Sequence, residues 1–238
     1  MQAETVKRLI DLNRAFYAAF ARDFSETRSS ERLNITPIMP YLTNGVKLLE
    51  VGCGNGRLVE RLDREGFAFD YLGVDLTREL LTIAQIRARE LQHITAEFRA
   101  SDITASGWSQ VAQDQAPFAL ILMLAVLHHV PSYDLRERVL RDLRSLLKPG
   151  GRLLMSNWQY ESNERLRRKI VPWPAGWPEA ELEPGDALVD WKRGGEGLRY
   201  VHLLTEQEVC KLAEATGFQV ERQFLADANL NLYSVLSR

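Results

Sequence analysis

Between residues 46 and 157, short apolar runs alternate with segments whose apolar residues recur every three or four positions. Runs of the first kind are typical of buried strands, and the second spacing is typical of helices that pack on one face. Strands that alternate with helices imply right-handed crossovers, so the pattern predicts an α/β fold with a parallel sheet. The predicted strands are 46–51, 71–75, 95–100, 118–125 and 152–157, and the predicted helices between them are 57–65, 78–91 and 134–147.

The flanking segments follow other patterns. One or two helices are predicted over 4–24, with a short helix over 35–42. Residues 158–197 are rich in Trp and Pro and show no clear period, which predicts an insertion, and long ordered insertions are usually functional. The last elements are predicted to be a strand at 199–204, a helix at 206–216, and two strands at 219–225 and 232–237 that form an antiparallel edge hairpin.

The stretch Glu50-Val51-Gly52-Cys53-Gly54-Asn55-Gly56 joins the first predicted strand to the first helix after it. Such a tight turn needs backbone angles that residues with a Cβ avoid, and a ligand reaches the main chain only where no side chain intervenes. The following helix also presents unpaired N–H groups to the loop. The pattern therefore favours a ligand-binding loop over a packing turn.

Polar side chains follow the next three strands. Asp75 ends the second, Asp102 follows the third, and His128 and His129 follow the fourth. Ligands collect at the carboxyl ends of parallel strands, although acids at such positions also serve as helix caps. Adjacent histidines with no acid at ligand spacing do not make a metal site, so no metal is expected.

Composition narrows the class of protein. The chain has 45% hydrophobic and 26% charged residues, a formal net charge of -2 and two cysteines. These values exclude a disordered or disulfide-stapled protein and give no global attraction to nucleic acid. With no long apolar run, no membrane segment is expected, and the expected location is the cytoplasm.

The G-x-G-x-G loop, Asp75, Asp102, the Leu-Lys-Pro-Gly-Gly turn at 147–151 and the terminal hairpin together resemble class I S-adenosylmethionine-dependent methyltransferases over residues 45–238. The resemblance implies a Rossmann-like seven-stranded sheet with an antiparallel C-terminal hairpin and an inserted subdomain after strand five. It implies S-adenosylmethionine as the cofactor, with Asp75 on the ribose and Asp102 and Ile103 on the adenine. The cofactor-binding residues that it implies are Tyr17, Arg28, Glu50, Gly52, Gly54, Gly56, Asp75, Leu76, Asp102, Ile103, Leu124 and Ala125.

Four shorter stretches are similar to the tRNA methyltransferases that esterify 5-carboxymethyluridine at the wobble position. They are residues 24–28 (FSETR), 125–129 (AVLHH), 156–158 (SNW) and 199–202 (RYVH). This resemblance implies methyl transfer to a carboxylate, which is already ionised at neutral pH and needs no strong base. The residues expected on the acceptor side are Arg28, His128, Arg199, Tyr200 and His202.

The predicted organisation is a helical lid at 1–44, a cofactor-binding core at 45–157, an acceptor-side cap at 158–198 and a C-terminal segment at 199–238 that completes the core. The aromatic stripe of the first segment is also typical of a helix that simply covers the sheet. The acceptor is expected to be tRNA or a small molecule, and a small activating subunit is a further expected partner.

Three alternatives stay open. The Trp and Pro residues of the insertion could wall an apolar pocket for a small O- or N-methyl acceptor. The basic run 165–169 could bind phosphates, but nearby acids favour a solvated charged face. A non-catalytic subunit that binds S-adenosylmethionine fits the cofactor motifs equally well. A nicotinamide oxidoreductase is disfavoured by the glycine spacing and the terminal hairpin.

Overall fold

A computed structural model describes all 238 residues and contains two β-sheets. None of its helices combines the length and apolar character needed to cross a membrane. The strands are β1 (Lys47–Val51), β2 (Asp70–Asp75), β3 (Thr95–Ala100), β4 (Phe118–Leu124), β5 (Leu147–Trp158), β6 (Ile170–Val171), β7 (Asp186–Trp191), β8 (Gly197–His202), β9 (Gln219–Ala226) and β10 (Asn231–Ser237). The helices are α1 (Ala3–Glu26), α2 (Arg57–Arg64), α3 (Arg78–Ala88), α4 (Tyr133–Leu146), α5 (Glu164–Arg167) and α6 (Glu206–Thr216).

The larger sheet has seven strands in the order β3-β2-β1-β4-β5-β10-β9. The first five strands pair in parallel, whereas β10 pairs antiparallel with both β5 and β9. The predicted fold class is therefore confirmed, including the antiparallel C-terminal hairpin. The apolar run of β4 is explained by its central position, because strands covered on both faces read as continuous hydrophobic segments.

Helices cover both faces of this sheet. One face packs against α4 and α6 through residues such as Val139 and Leu212. The other packs against α2 and α3 through Leu62 and Leu81. Because both faces are covered by these helices, the carboxyl ends of the parallel strands are the edge at which a ligand can reach the sheet.

The prediction of a short helix over 35–42 is wrong. Only Met39–Tyr41 forms a single 3₁₀ turn, with Pro40 among its first positions. Pro37 and Pro40 each lack the N–H that a helix needs and restrict the residue before them, so the segment cannot form regular turns. Two other boundaries moved: α3 ends at Ala88 rather than 91, and β5 begins at Leu147, directly after α4.

The segment predicted as an insertion contains regular structure that the sequence pattern did not reveal. β7 pairs antiparallel with β6 on one side and with β8 on the other, in a sheet of three strands. Residues of β7 are buried on both faces: Leu188 packs with Leu9 of α1, and Val189 packs with Trp158 and Val201. A strand covered on both sides lacks the alternation of polar and apolar residues by which strands are usually recognised.

α1 lies against this small sheet and holds it to the large one. Asn13 accepts a hydrogen bond from the Tyr200 N–H at 2.8 Å, and its amide donates to the carbonyls of Tyr200 and His129 at 3.1 and 3.2 Å. The helix is kinked at Phe20. Beyond the kink, Asn55 of the glycine loop donates to the Ser25 hydroxyl at 2.8 Å. The middle of α1, at Asn13, and its C-terminal end, at Ser25, are thus tied to the carboxyl edge of the main sheet.

Candidate active site

The glycine loop has the strained geometry that its sequence predicts. Gly52, Gly54 and Gly56 all have positive φ, at 76°, 54° and 73°. A Cβ at Gly52 would collide with Val126, and one at Gly56 would lie 2.9 Å from the Cβ of Ala84. A Cβ at Gly54 would meet nothing within 4 Å. Two of the glycines therefore allow close packing, and the third borders open space that a ligand can fill.

Asp75 connects this loop to the end of β2. Its carboxylate accepts the N–H of Gly54 at 2.8 Å and the N–H of Thr77 at 2.8 Å. Burial raises the pKa of Asp75 above its usual value, an effect that these two hydrogen bonds oppose. Because two oxygens offer about four acceptor positions, the carboxylate can accept two further donors, such as a pair of hydroxyl groups. Leu76 beside it is 41% exposed and offers an apolar surface to a ring.

Asp102 already has partners for both oxygens. Oδ1 accepts the N–H and the hydroxyl of Thr104 at 2.8 and 2.6 Å, and Oδ2 is ion-paired with Arg14 of α1. Neither oxygen of Asp102 is therefore without a partner before the adenine amine binds. It also fastens α1 to the end of β3, next to Ile103 in the cavity wall.

A cavity of about 420 Å³ lies at this edge of the sheet, beneath α1. Of the twelve predicted cofactor residues, eleven line it; the exception is Gly56, which caps α2 and packs on α3. Glu50 lies in its wall, is 5% exposed and accepts the hydroxyl of Tyr71. Burial raises the pKa of Glu50 to about 8.

Tyr17 and His129 are in direct contact in the cavity wall. Nδ1 of His129 lies 2.9 Å from the carbonyl of Tyr200, which can only accept, so this nitrogen carries the proton. Nε2 then accepts the hydroxyl of Tyr17 at 3.1 Å. Burial, and after it the charge of Arg199, lowers the pKa of His129 to about 3, so the ring is neutral at physiological pH.

Arg28 lines the same part of the cavity, and Arg199 lies behind its wall. The guanidinium of Arg28 lies 4.6 Å above the ring of Phe24. Burial, with the charge of Arg57 next, lowers the pKa of Arg28 to about 10. Neither Arg28 nor Arg199 has a carboxylate within ion-pairing distance, and the Nε atoms of both are buried without a partner.

Arg199 is 3% exposed and is surrounded by aromatic rings. Its guanidinium carbon lies 4.8, 5.1 and 5.4 Å from the ring centroids of Phe16, Trp158 and Trp191. These rings come from α1, β5 and β7, so three elements must assemble before the site exists. Cation–π contacts of this kind stabilise a desolvated guanidinium but leave its charge uncompensated.

The other residues predicted on the acceptor side do not line the cavity. His128 is fully buried behind His129 and Trp158, where burial lowers its pKa well below the usual value. The hydroxyl of Tyr200 donates to Asp186 at 2.7 Å. His202 is bound between Asp186 and Glu208 at 2.7 and 2.8 Å. Arg28 alone among the five reaches the cavity directly, and the structure assigns no contact with an acceptor to the other four.

Several residues that line the cavity were missed by sequence reasoning. The antiparallel register pairs Asn231 with Trp158 and Tyr233 with Ser156, which brings the turn of the hairpin to the ends of β4 and β5. Hairpins were predicted from their pattern, but no local signal gives the register between strands far apart in the chain. The missed residues are Asn34, Asp227, Asn231 and Tyr233, whereas His129 and Trp158 lie in stretches that the sequence singled out without giving these two residues a role.

An open glycine loop, acids at the ends of parallel strands and a cavity closed by an N-terminal helix define a nucleotide-type cofactor site of the Rossmann-like class. The family model described as "Methyltransferase domain" matches residues 11–223, and the chain belongs to this family as a class I S-adenosylmethionine-dependent methyltransferase. The family and the cofactor that were predicted from the sequence are therefore confirmed.

Similar proteins agree on this class. The chain is 27% identical over 173 residues to a tRNA (carboxymethyluridine(34)-5-O)-methyltransferase of Arabidopsis thaliana, an alignment that covers 72% of this chain and 39% of the relative. It is 31% identical over 113 residues to a ubiquinone biosynthesis O-methyltransferase of Acinetobacter baylyi, with 47% and 43% covered. The chain thus spans less than half the length of these two relatives. The crystal structure of an S-adenosylmethionine-dependent methyltransferase from Methanosarcina mazei superposes with a TM-score of 0.66 at 23% identity, covering 87% of this chain and 99% of the other.

The residues present fit S-adenosylmethionine. The space beside Gly54 leaves room for a ligand against the main chain, and Asp75 has acceptor capacity left for the ribose hydroxyls. Leu76 would lie against the adenine, and Glu50 offers a carboxyl group to the ammonium of the methionine part. Asp102, by contrast, could bind the adenine amine only with the acceptor capacity that Arg14 and Thr104 leave.

Proposed function

We propose that this methyltransferase transfers the methyl group to a carboxylate oxygen of an anionic acceptor. The observation that carries the proposal is a pair of arginines without a carboxylate partner: Arg28, half-buried in the cavity wall, and Arg199, buried behind that wall. They are close enough for the charge of Arg199 to lower the pKa of Arg28.

A buried charge is costly unless an opposite charge compensates it. None of the acids around the cavity is ion-paired with either arginine: Asp75 and Asp227 accept hydrogen bonds from other groups, Asp102 is paired with Arg14, and burial raises the pKa of Glu50 to about 8. A carboxylate on the acceptor would supply the missing charge. An arginine fork also matches the two oxygens of a carboxylate and would fix its orientation.

The histidines of the site support a nucleophile that needs no deprotonation. His129 is neutral, and its acceptor nitrogen is taken up by Tyr17. His128 lies behind the wall. S-adenosylmethionine, when bound, supplies a methyl group on a sulfonium, and its transfer to a carboxylate oxygen forms one C–O bond, breaks one C–S bond and releases no proton. The protein then contributes mainly by positioning the acceptor.

As the finer proposal, the carboxylate belongs to a modified uridine in tRNA. Support comes from the four stretches 24–28, 125–129, 156–158 and 199–202, and from the name of the Arabidopsis relative. Arg165 of α5 adds support, because its charge acts on Arg28 in the cavity wall. Arg165 and Arg167 are exposed and available to phosphates.

A second candidate is a small acceptor with a hydroxyl group. The same cavity has an apolar wall formed by Leu33, Ile38, Leu230 and Trp158, which would suit an aromatic or prenyl-like molecule. The Acinetobacter relative carries the name of an enzyme of ubiquinone biosynthesis. This candidate requires a base to remove the hydroxyl proton, and His129 is poorly placed for that task.

The test is the alkaline stability of the product. The protein would be incubated with methyl-labelled S-adenosylmethionine and, in parallel, tRNA that contains 5-carboxymethyluridine, the same tRNA without the carboxymethyl group, and a catechol. We expect label only in the first, in a form that mild alkali releases as methanol, because esters hydrolyse where ethers and N-methyl groups do not. An alkali-stable product, or labelling of the catechol alone, would contradict the carboxylate proposal.

The matched variants are Arg28→Gln and Arg22→Gln. Arg22 is an exposed residue of α1, shortly before Arg28 in the chain, and lies outside the cavity. Arg28→Gln should raise the KM for the carboxylate acceptor by at least tenfold, whereas Arg22→Gln should behave as the wild type. Equal effects of the two changes would remove Arg28 from the proposed role.

A further inference from the structure

A group of hydrogen-bond acceptors faces the cavity from the turn between β9 and β10. Oδ1 of Asp227 accepts the side-chain amide of Asn34 at 2.8 Å, and Oδ2 accepts that of Asn231 at 2.8 Å and the hydroxyl of Tyr233 at 3.1 Å. All four residues line the cavity and are called the Asp227 cluster below. The cofactor fit and the proposed carboxylate site use none of them.

The turn that carries the cluster is built in an uncommon backbone conformation. Asp227, Ala228 and Asn229 have φ values of 58°, 54° and 60°, so three successive residues without a glycine lie in the left-handed region. Each residue there costs energy, least for Asp and Asn. The hydrogen bond from Asn34 ties this turn to the loop before β1. The turn is therefore held in a fixed position rather than left as a loose hairpin end.

The register of the sheet places the cluster near the acceptor end of the cavity. Tyr233 lies opposite Ser156 on β5, and the carbonyl of Ser156 accepts the N–H of Ala125 at the end of β4. Asn231 lies opposite Trp158, whose ring packs on His129. The cluster is thus on the strand next to the site where Arg28 and His129 would meet the acceptor.

The cluster directs three hydrogen bonds at Asp227, and each of its two asparagine amides keeps a second N–H. The amide nitrogens of Asn34 and Asn231 and the hydroxyl of Tyr233 all point to Asp227. The hydrogen bond to Asp227 fixes the orientation of the Asn231 amide. The Oδ1 atom of this amide is buried and has no partner. Asp227 itself has no ion pair, and its two oxygens use three of about four acceptor positions. Asp227, in the cavity wall, therefore keeps one acceptor position, and the buried Oδ1 of Asn231 is a second acceptor without a partner beside it.

We infer that the Asp227 cluster binds N–H or O–H donors on the methyl acceptor, at a different edge from the carboxylate. The inference rests on the proposed function and narrows its substrate class to a polar acid with hydrogen-bond donors, such as a cyclic imide or a sugar. A lipid-like acid or a plain aromatic acid offers no donor to the half-buried carboxylate of Asp227, so its binding would displace water from Asp227 without replacing the hydrogen bond. Asp227 then acts as a specificity-determining residue.

Four small ligands test the need for a carboxylate and the need for hydrogen-bond donors separately. Each is titrated calorimetrically into the protein loaded with S-adenosylhomocysteine. Uracil-5-acetic acid carries both a carboxylate and N–H donors, and 1,3-dimethyluracil-5-acetic acid keeps only the carboxylate. Thymine keeps only the donors, and 1,3-dimethylthymine has neither. We expect uracil-5-acetic acid to bind at least tenfold more tightly than each of the other three.

Asp227→Asn should bring the two acids to within about twofold of each other, because it removes the charged acceptor while the asparagine tolerates the left-handed backbone. A purely steric effect of the added methyl groups would persist in this variant. The matched control is Asn229→Gly in the same turn, outside the cavity, which should keep the wild-type preference. Affinity for S-adenosylhomocysteine and the thermal midpoint report folding in each variant.

The outcomes are distinguishable. Equal binding of the two acids by the wild type would overturn the inference and leave the carboxylate proposal standing. Equal binding of uracil-5-acetic acid and thymine would contradict the carboxylate proposal and leave the donor-binding cluster standing. If Asp227→Asn weakens S-adenosylhomocysteine by the same factor as the acid, the cluster belongs to the cofactor site and the inference is overturned, as it is if none of the four ligands binds.

Discussion

Tyr17 donates its hydroxyl to Nε2 of His129 at 3.1 Å, and this hydrogen bond joins the first helix of the chain to the end of the central strand. His129 in turn donates from Nδ1 to the carbonyl of Tyr200 at 2.9 Å. The chain of two bonds connects α1, the main sheet and the small sheet. The cavity lies beneath α1. The hydrogen bond that holds Tyr17 in place therefore also holds α1 over the cavity.

Tyr17→Phe should therefore loosen the closed form. The change leaves Nε2 of His129 without a partner, which costs about 1 kcal/mol or about fivefold in affinity for S-adenosylmethionine. Calorimetric titration measures the loss. Tyr41→Phe is the control, since Tyr41 does not line the cavity. An unchanged affinity for Tyr17→Phe would show that α1 closes independently of this bond.

Asp75→Asn tests the ribose site. The carboxylate holds the N–H groups of Gly54 and Thr77, and the amide can accept fewer donors and carries no charge. We expect affinity for S-adenosylmethionine to fall by about 1–3 kcal/mol, the range for removing a buried hydrogen-bond partner. Asp70→Asn, at the exposed start of the same strand, should have no such effect. Equal losses for both variants would indicate a general weakening of β2.

Much of the cofactor site could be predicted because its signals are local in the chain. The loop Gly52–Gly56 and Asp75 reveal themselves by residue type and spacing, and strand–helix alternation fixes where they meet. The acceptor side is different. Arg199 acquires its surroundings from Phe16, Trp158 and Trp191, which are brought together by tertiary packing alone.

Two differences from the sequence-based expectations trace to the geometry of strands. β7 was missed because it is covered on both faces and so lacks alternation. His202 was expected at the acceptor because of its neighbours in sequence, whereas its side chain lies in an ionic network away from the cavity. A strand places successive side chains on opposite faces, so a four-residue motif cannot all face one ligand. The network members are Arg136, Glu183, Asp186, Tyr200, His202 and Glu208.

This network should make stability fall as the pH rises. Burial alone would lower the pKa of His202, but its hydrogen bonds to Asp186 and Glu208 raise the pKa overall. A group whose pKa is higher in the folded state stabilises the fold below its unfolded value, and the contribution is lost as pH rises through the folded value. The loss should therefore begin above the usual histidine pKa of about 6.5.

Thermal midpoints measured between pH 5.5 and 9 check this expectation. The wild type should lose more stability across this range than His202→Gln, which has no titrating group at the site. His93→Gln, a change at an exposed histidine, should follow the wild-type curve. Parallel curves for wild type and His202→Gln would contradict the assignment.

Gly54→Ala tests whether Gly54 is needed for its left-handed backbone conformation or for the space that it leaves to a ligand. Gly54 has φ 54° and nothing within 4 Å of a Cβ, and Gly66 after α2 has φ 81° and the same open surroundings. Alanine at either position must enter the left-handed region, at a cost of about 1–2 kcal/mol. The two variants should therefore lose similar thermal stability. Only Gly54 borders the cavity, so only Gly54→Ala should weaken S-adenosylmethionine, by at least tenfold. A similar loss of affinity in Gly66→Ala would mean that backbone strain, rather than the methyl group in the cavity, decides binding.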